Sequence, residues 1–214
     1  MWAVMSVVKG VGGDFYESFR FNDDKICIAI GDVSGKGMPA ALFMVRTMTL
    51  LRSELNSTQD LGTLMSRFNQ ALCDTNIAHM FASLIVLRLC AKTGELESIN
   101  AGHSPFLFSR NGGEFQEVSH ASGLIAGVLR DSHYEVETMQ MQAGDRLLMY
   151  TDGVTEARDR GQKFFGVSRL LATINHHQAQ NTQSLIDSVF DDVDTFTGDM
   201  HPSDDITVVG VQLG

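Results

Sequence analysis

Four aspartates stand where apolar, strand-like runs give way to turns. They are Asp14 in Val-Gly-Gly-Asp-Phe-Tyr, Asp32 in Gly-Asp-Val-Ser-Gly-Lys-Gly, Asp152 in Tyr-Thr-Asp-Gly and Asp204 in Ser-Asp-Asp-Ile-Thr. Any one of them, taken alone, is open to a turn-and-cap explanation. Four such ends in one small domain point instead to carboxylates converging on positive charge. A pair of hard divalent cations, which prefer oxygen ligands, is the obvious candidate. Asp14 and Asp32 lie 18 residues apart. A strand over 15–21 runs out from Asp14 and a strand over 25–32 returns to Asp32. Antiparallel return carries both carboxylates to one end of a sheet, as a shared metal site requires. Gly12 and Gly13 let backbone come close there, Gly31 and Gly35 do the same around Asp32, and the Val33 carbonyl is a further candidate ligand.

The elements that must position these groups follow from hydrophobic periodicity. Strands are expected over 4–11, 15–21, 25–33, 81–89, 95–101, 105–109, 115–118, 134–141, 146–151 and 206–213. Asp152 is read as closing the strand over 146–151, and Asp204 as preceding the last one. Pro39 suits the first turn of a helix, and Met38, Ala41, Leu42, Val45 and Met48 continue at helical spacing to give a helix over 38–55. Further helices are expected over about 60–75, 167–177 and 182–197. Strict βαβ alternation is absent, which argues against a doubly wound parallel sheet. The fold class expected is α+β: two packed antiparallel β-sheets flanked by α-helix pairs, an α-β-β-α sandwich in a single domain over residues 1–214. Phe15-Tyr16 and the Met-rich helix over 38–48 are read as core, with a partner surface as the alternative. The acidic run Asp191-Asp192-Val193-Asp194 is read as a solvated helix face and His176-His177 as exposed on a helix.

Composition narrows the function. The chain has 214 residues, 43% hydrophobic and 20% charged, with a formal net charge of −10. That acidity disfavours nucleic acid and anionic membrane surfaces as partners. It also opposes a phosphate substrate unless metal is present, since two divalent cations would cut the charge to −6 and reverse the local potential. Cys27, Cys73 and Cys90 form no CxxC pair and read as buried thiols in a reducing, cytoplasmic setting. No run is long and apolar enough to span a bilayer, and the first residues lack the marks of a signal peptide.

In order and context these segments resemble the PPM-type (type 2C) metal-dependent serine/threonine phosphatases, in the bacterial SpoIIE/RsbU branch. The matching stretches are Val-Gly-Gly-Asp-Phe-Tyr-Glu at 11–17, Gly-Asp-Val-Ser-Gly-Lys-Gly-Met-Pro-Ala-Ala at 31–41, Met-Phe-Ala-Ser-Leu at 80–84, Asn-Ala-Gly-His-Ser-Pro at 100–105, Tyr-Thr-Asp-Gly-Val-Thr-Glu-Ala at 150–157 and Asp-Asp-Ile-Thr-Val-Val at 204–209. The resemblance implies a two-metal site of Mn2+ or Mg2+. In it Asp32 bridges, Asp14 and the Val33 carbonyl bind one ion, Asp152 and Asp204 bind the other, and Asp205 sits beside the site. It implies hydrolysis by a metal-activated water without a phosphoenzyme. Where animal members carry a histidine two residues after the bridging aspartate, this chain has Ser34. Glu156 falls at a third-metal position of some relatives, but His103 stands where another has Asp; the plainer reading of His103 is a hydrogen-bonded turn residue. Lys36 is a candidate phosphate contact, set against a solvated loop lysine.

The implied partner is a phosphorylated protein, by resemblance a STAS-type anti-sigma-factor antagonist. A dimer through regulatory helices and an N-terminal regulatory module in a longer parent chain are further expectations. The alternatives are a catalytically silent docking module of the same fold, whose mark would be a lost metal aspartate, and a hydrolase of small phosphate esters.

Overall fold

The computed structural model describes residues 2–6, 12–21, 24–55, 60–76, 78–119, 122–200 and 204–214. The strands are β1 (Trp2–Ser6), β2 (Phe15–Arg20), β3 (Lys25–Val33), β4 (Ala82–Cys90), β5 (Glu95–Ala101), β6 (Phe106–Ser109), β7 (Phe115–Val118), β8 (Glu137–Gln140), β9 (Arg146–Tyr150) and β10 (Ile206–Gln212). The helices are α1 (Met38–Leu55), α2 (Leu61–Asp74), α3 (Asp152–Thr155), α4 (Gly166–His176) and α5 (Thr182–Thr197). The architecture is the expected α+β one. Two five-stranded sheets, ordered β2-β3-β4-β5-β8 and β1-β10-β9-β6-β7, are antiparallel at every pairing and each carries a helix pair. Of the strand expected over 4–11, residues 7–11 lie outside the described residues.

The chain divides into two compact units. The first lies within Val11–His103 and His120–Met141 and holds the β2-β3-β4-β5-β8 sheet. Alternate residues of β3 and β4 (Cys27, Ala29, Val33; Leu84, Val86) share a core with Phe43, Leu51 and Leu55 of α1 and Leu64, Met65, Phe68 and Leu72 of α2. Complete burial of a side chain such as Phe68 contributes about 2–3 kcal/mol through the hydrophobic effect, which holds α2 on the sheet. At the start of α2 the Asp60 carboxylate accepts from Thr63 N at 2.6 Å, satisfying one of the free N–H groups of the first turn.

The second unit lies within Met1–Gly10, Ser104–Ser119 and Gln142–Gly214 and holds the other sheet. Here Leu148 and Tyr150 of β9 and Ile206 and Val208 of β10 pack with Leu170 and Ile174 of α4 and Leu185, Ile186, Val189 and Val193 of α5. Asn181 caps α5 by accepting from Ser184 N at 3.0 Å.

Several expectations need correction. The strand-like run over 134–141 pairs only over Glu137–Gln140. Its first part is diverted: Tyr134 is buried in the first unit's core, and Glu135 N donates to the Ser122 carbonyl at 2.8 Å. Asp152 does not close β9, which ends at Tyr150; it opens the four-residue helix α3. The Met-rich face of α1 is not core throughout. Met38, Leu42 and Val45, spaced i, i+4 and i+7, are exposed, while Ala40, Ala41 and Phe43 are buried. All three cysteines are free thiols; Cys27 and Cys90 are buried, but Cys73 is only half-buried. Asp191, Asp192 and Asp194 are exposed on α5 as expected; of the histidine pair, His176 is exposed at the end of α4, but His177 is half-buried just beyond it.

One partly buried charge pair contributes to the acid stability. Arg88 and Glu97 face each other across β4 and β5, with Arg88 Nε donating to Glu97 Oε2 at 2.6 Å and Nη2 to Oε1 at 2.9 Å. The Arg88 hydrogen bonds, with the Arg88 and Lys25 charges, hold the Glu97 carboxyl below its usual range. A depressed carboxylate stabilises the fold above its unfolded pKa, and that contribution is lost as pH falls through the lowered folded value. Glu97→Gln, which leaves Arg88 buried without its counter-charge, is expected to cost about 2 kcal/mol in urea denaturation at pH 7. The gap between variant and wild type should close as the pH is taken down through the acid limb.

Candidate active site

In the first unit the register brings two of the aspartates together. Phe15 pairs with Gly31, so Asp14 and Asp32, each one residue further on, lie side by side at the end of adjacent antiparallel strands. Asp14 is 5% exposed and Asp32 half-buried. A Cβ placed on Gly13 would lie 2.7 Å from Asp32 Oδ1 and 2.9 Å from the Val33 carbonyl oxygen. Both oxygens are therefore turned toward the space that only a glycine leaves open, in front of a second carboxylate. A carboxylate oxygen and a backbone carbonyl converging at a sheet end, with another carboxylate adjacent, form a donor set suited to a hard divalent cation. This is where the residues present fit an Mn2+ or Mg2+ ion.

The surroundings of Asp32 are fixed by a hydrogen-bonded frame. Ser83 pairs with Asp32 across β3 and β4, and its hydroxyl lies 2.9 Å from His103 Nδ1. His103 is buried in a closed loop with Asn100: its N–H donates to Asn100 Oδ1 at 2.8 Å, and Asn100 Nδ2 donates to its carbonyl at 3.0 Å. Beyond Val33, Ser34 N donates to the Phe81 carbonyl at 2.8 Å and Phe81 N to Ser34 Oγ at 2.9 Å. Ser83 and Asn100 did not stand out in the sequence; the only signal for them was their place in the 80–84 and 100–105 stretches. Lys36 is exposed in the loop that leads to α1.

The second unit brings the other two aspartates to one sheet end. Val208 pairs with Tyr150, so the segment after β9 runs beside the segment before β10. Thr151 N donates to the Thr207 carbonyl at 3.0 Å, and Thr207 N returns a bond to Thr151 Oγ1 at 3.0 Å. Asp152 is exposed at the head of α3, Asp204 is half-buried, and Asp205 is buried with its N–H donating to Asp204 Oδ1 at 3.1 Å. Glu156 is exposed at the end of α3, where its N–H donates to the Asp152 carbonyl at 2.7 Å. Asp14 and Asp32 thus belong to one unit, and Asp152, Asp204, Asp205 and Glu156 to the other. Within neither unit do three or more His, Cys, Asp or Glu residues among those described form a group that could by itself hold a metal.

Paired antiparallel sheets with acidic strand ends and one helix pair each are the architecture of the PP2C-type phosphatases. The SiaA-PP2C domain of Pseudomonas aeruginosa shares the fold at a TM-score of 0.88 over 100% of this chain and 85% of that one, with 19% identity. The chain belongs to the family of Stage II sporulation protein E (SpoIIE), whose model matches residues 22–214. It is a PP2C-type phosphatase domain of the SpoIIE/RsbU branch. It is 29% identical to protein IcfG of Synechocystis sp., over 98% of this chain and 37% of IcfG. It is 27% identical to the phosphoserine phosphatase RsbU of Bacillus subtilis, over 97% of this chain and 61% of RsbU. The chain therefore spans less than two thirds of the length of these relatives. Asp14 lies ahead of the stretch matched by the family model.

Gly13→Ala tests the cradle directly. Its methyl would press first on Asp32 Oδ1 and the Val33 carbonyl, and less closely, at 3.3 Å, on Val33 Cγ2. The expected result is at least about a tenfold rise in the Mn2+ concentration needed for half-maximal binding, with a melting temperature within a few degrees of wild type. Calorimetric titration with Mn2+ beside a thermal melt checks both.

Proposed function

We propose that this domain is an Mn2+- or Mg2+-dependent protein serine/threonine phosphatase acting on a phosphorylated partner protein in the cytoplasm, by resemblance a STAS-type anti-sigma-factor antagonist. The observation that carries the proposal is the Gly13 cradle, where Asp32 Oδ1 and the Val33 carbonyl converge beside Asp14. Support comes from family membership and from the name of RsbU, a phosphoserine phosphatase. In this reading Asp14, Asp32, the Val33 carbonyl, Asp152 and Asp204 would hold the two ions. When bound, the ions supply a lowered pKa for water and counter-charge for the phosphoryl oxygens.

The rest is the work of the chain's own groups. Asp32 would supply its charge to the ions from a strand end held by pairing to β2 and β4. The Ser83–His103–Asn100 frame keeps the backbone beside Asp32 from shifting. The Asp205 N–H would hold the Asp204 carboxylate in place, and Lys36 would attract the substrate's phosphate. Ser34, a neutral hydroxyl, leaves the leaving alkoxide to take its proton from water.

Hydrolysis of p-nitrophenyl phosphate and of phosphoserine peptides, measured in Mn2+, in Mg2+ and in EDTA, tests the reading. Turnover that requires the metal is expected. No turnover of the ester or of any phosphopeptide in either metal would sink it.

A further inference from the structure

Two peptide planes beside Asp32 decide where the Val33 carbonyl points, and each is held by a side chain. β3 and β4 pair as far as Val33 and Ala82, and the next step brings Ser34 opposite Phe81. In a regular antiparallel ladder two residues joined in this way exchange both backbone bonds. Here only one bond is regular. Ser34 N donates to the Phe81 carbonyl at 2.8 Å, but Phe81 N donates to Ser34 Oγ at 2.9 Å. The hydroxyl stands in for the Ser34 carbonyl. The ladder therefore closes on a side chain, and the backbone is released into the loop of Gly35 and Gly37, both at positive φ (93° and 73°).

The Val33 carbonyl and the Ser34 N–H belong to one trans peptide, in which the two groups point opposite ways. Fixing the N–H on Phe81, on the β4 side, turns the Val33 oxygen toward the residues that lead into β2. That is where a Cβ on Gly13 would lie 2.9 Å from it. The Phe81 N–H belongs to a second plane, shared with the Met80 carbonyl. Asn76 grips this plane: its Nδ2 donates to the Met80 carbonyl, and its Oδ1 accepts from Met80 N at 3.0 Å. Asn76 Nδ2 also donates to the Gly127 carbonyl at 2.9 Å, so both amide protons and the amide oxygen are engaged.

The connections run in one line: Asn76 to the Met80–Phe81 peptide, that peptide to the Ser34 hydroxyl, and Phe81 back to the Val33–Ser34 peptide. A backbone carbonyl carries no net charge, so its worth as a ligand for a hard cation depends on where it is aimed. We propose that Ser34 and Asn76 are positioning residues for the metal centre, which together aim the Val33 carbonyl at the ion. This rests on the metal-dependent phosphatase reading above and adds to it that metal affinity is set partly by side chains that touch neither ion. Ser34 Oγ then acts as a hydrogen-bond acceptor that holds backbone, and not as a source of protons. Outer partners of metal ligands are worth about 10–100-fold in affinity.

Calorimetric titration with Mn2+, beside thermal melts in EDTA, tests this on three variants. Ser34→Ala removes the acceptor of the Phe81 N–H and is expected to weaken the Kd for Mn2+ at least about tenfold, with a melting temperature within a few degrees of wild type. Ser34→Thr keeps a hydroxyl on the same carbon and is expected to restore binding to within a few-fold of wild type. Asn76→Asp keeps the size and the acceptor for Met80 N but sets a carboxylate oxygen against the Met80 and Gly127 carbonyls. Its added negative charge would by attraction alone tighten cation binding, so the weaker Kd expected here reports the backbone and not the charge. Wild type that binds neither Mn2+ nor Mg2+ would overturn the metal-dependent reading and this proposal with it. Wild-type binding with an unchanged Kd in Ser34→Ala would overturn the proposal alone, as would an equal loss in Ser34→Thr. An unchanged Kd in Ser34→Ala with a lower rate on p-nitrophenyl phosphate at saturating Mn2+ would assign Ser34 to proton transfer instead. An unchanged or tighter Kd in Asn76→Asp would overturn the part given to Asn76.

Discussion

Asp32→Asn is expected to reduce metal-dependent hydrolysis of p-nitrophenyl phosphate by about 10³-fold or more while leaving the protein folded. The substitution keeps the size of the side chain but removes the one negative charge that both ions of the proposed centre would share. An amide oxygen is a poorer ligand for a hard cation, and its NH2 group faces a positive charge. The structure gives a reason to expect the fold to survive. Asp32 is half-buried at a strand end, and β3 is held by backbone pairing to β2 on one side and β4 on the other. Removing one carboxylate beside Asp14 also relieves like-charge repulsion when no metal is bound, so the metal-free variant should melt no lower than the metal-free wild type. Two measurements check this: the ester rate across an Mn2+ titration, and thermal melts in EDTA. A variant that retains turnover within a few-fold at saturating Mn2+ would show that Asp32 is not the bridge.

The second large effect is on stability, and it falls on the other unit. A Cβ on Gly153 would lie 1.8 Å from the Asp205 carbonyl oxygen, far inside any tolerable contact. The obstacle is backbone, held in turn by the hydrogen bonds between Thr151 and Thr207, so it cannot rotate aside as a long side chain would. Gly153→Ala should therefore either push α3 away from the 204–205 segment or unfold it. The expected cost is about 3 kcal/mol, which for a chain of this length lowers the melting temperature by roughly 6–12 °C. Because α3 carries Asp152 and the displaced segment carries Asp204, activity should fall as well, with an increased metal requirement. The contrast with Gly13→Ala is one of degree and of atom: there the nearest atoms are the proposed ligand oxygens at 2.7 and 2.9 Å, against a carbonyl oxygen at 1.8 Å for Gly153, so binding is expected to suffer more than stability. A melting temperature for Gly153→Ala within two or three degrees of wild type would show that the close approach is not needed.

How far the chain could be understood before its structure depended on the range of the interaction concerned. The bounds of β3 and α1 were legible at 25–33 and 38–55, because a continuous apolar run stopped at Gly-Asp and a Pro-started helical spacing followed. The pairing of Asp14 with Asp32 was legible for the same reason: a short connection between two strands leaves antiparallel return as the natural outcome. Helix α3 was not legible, since four residues are too few to display a period. The run over 134–141 alternated like a strand throughout, yet Tyr134 went into the core of α2's unit and only Glu137–Gln140 found a partner strand. On α1, apolar residues occupy more of the circumference than one sheet can cover. Composition could not say that Phe43 and Leu51 would be buried while Met38, Leu42 and Val45 would be exposed.

By itself the sequence marked the candidate donors: four aspartates after or before strand-like runs, a carbonyl after one of them and glycines around them, in an acidic chain whose charge makes sense for phosphate only with metal. It also determined most of the elements, because periodicity and turn residues are local properties. Only the tertiary structure decided that the first strand pairs with the last, that Gly13 opens onto Asp32 Oδ1 and the Val33 carbonyl, that Ser83, His103 and Asn100 are joined beside Asp32, and that Asn69 and Asn76 hold the backbone of 127–130. Each of these joins residues distant along the chain. Such contacts are chosen by packing and backbone pairing across the whole domain, and they leave no period or spacing in the residues that make them.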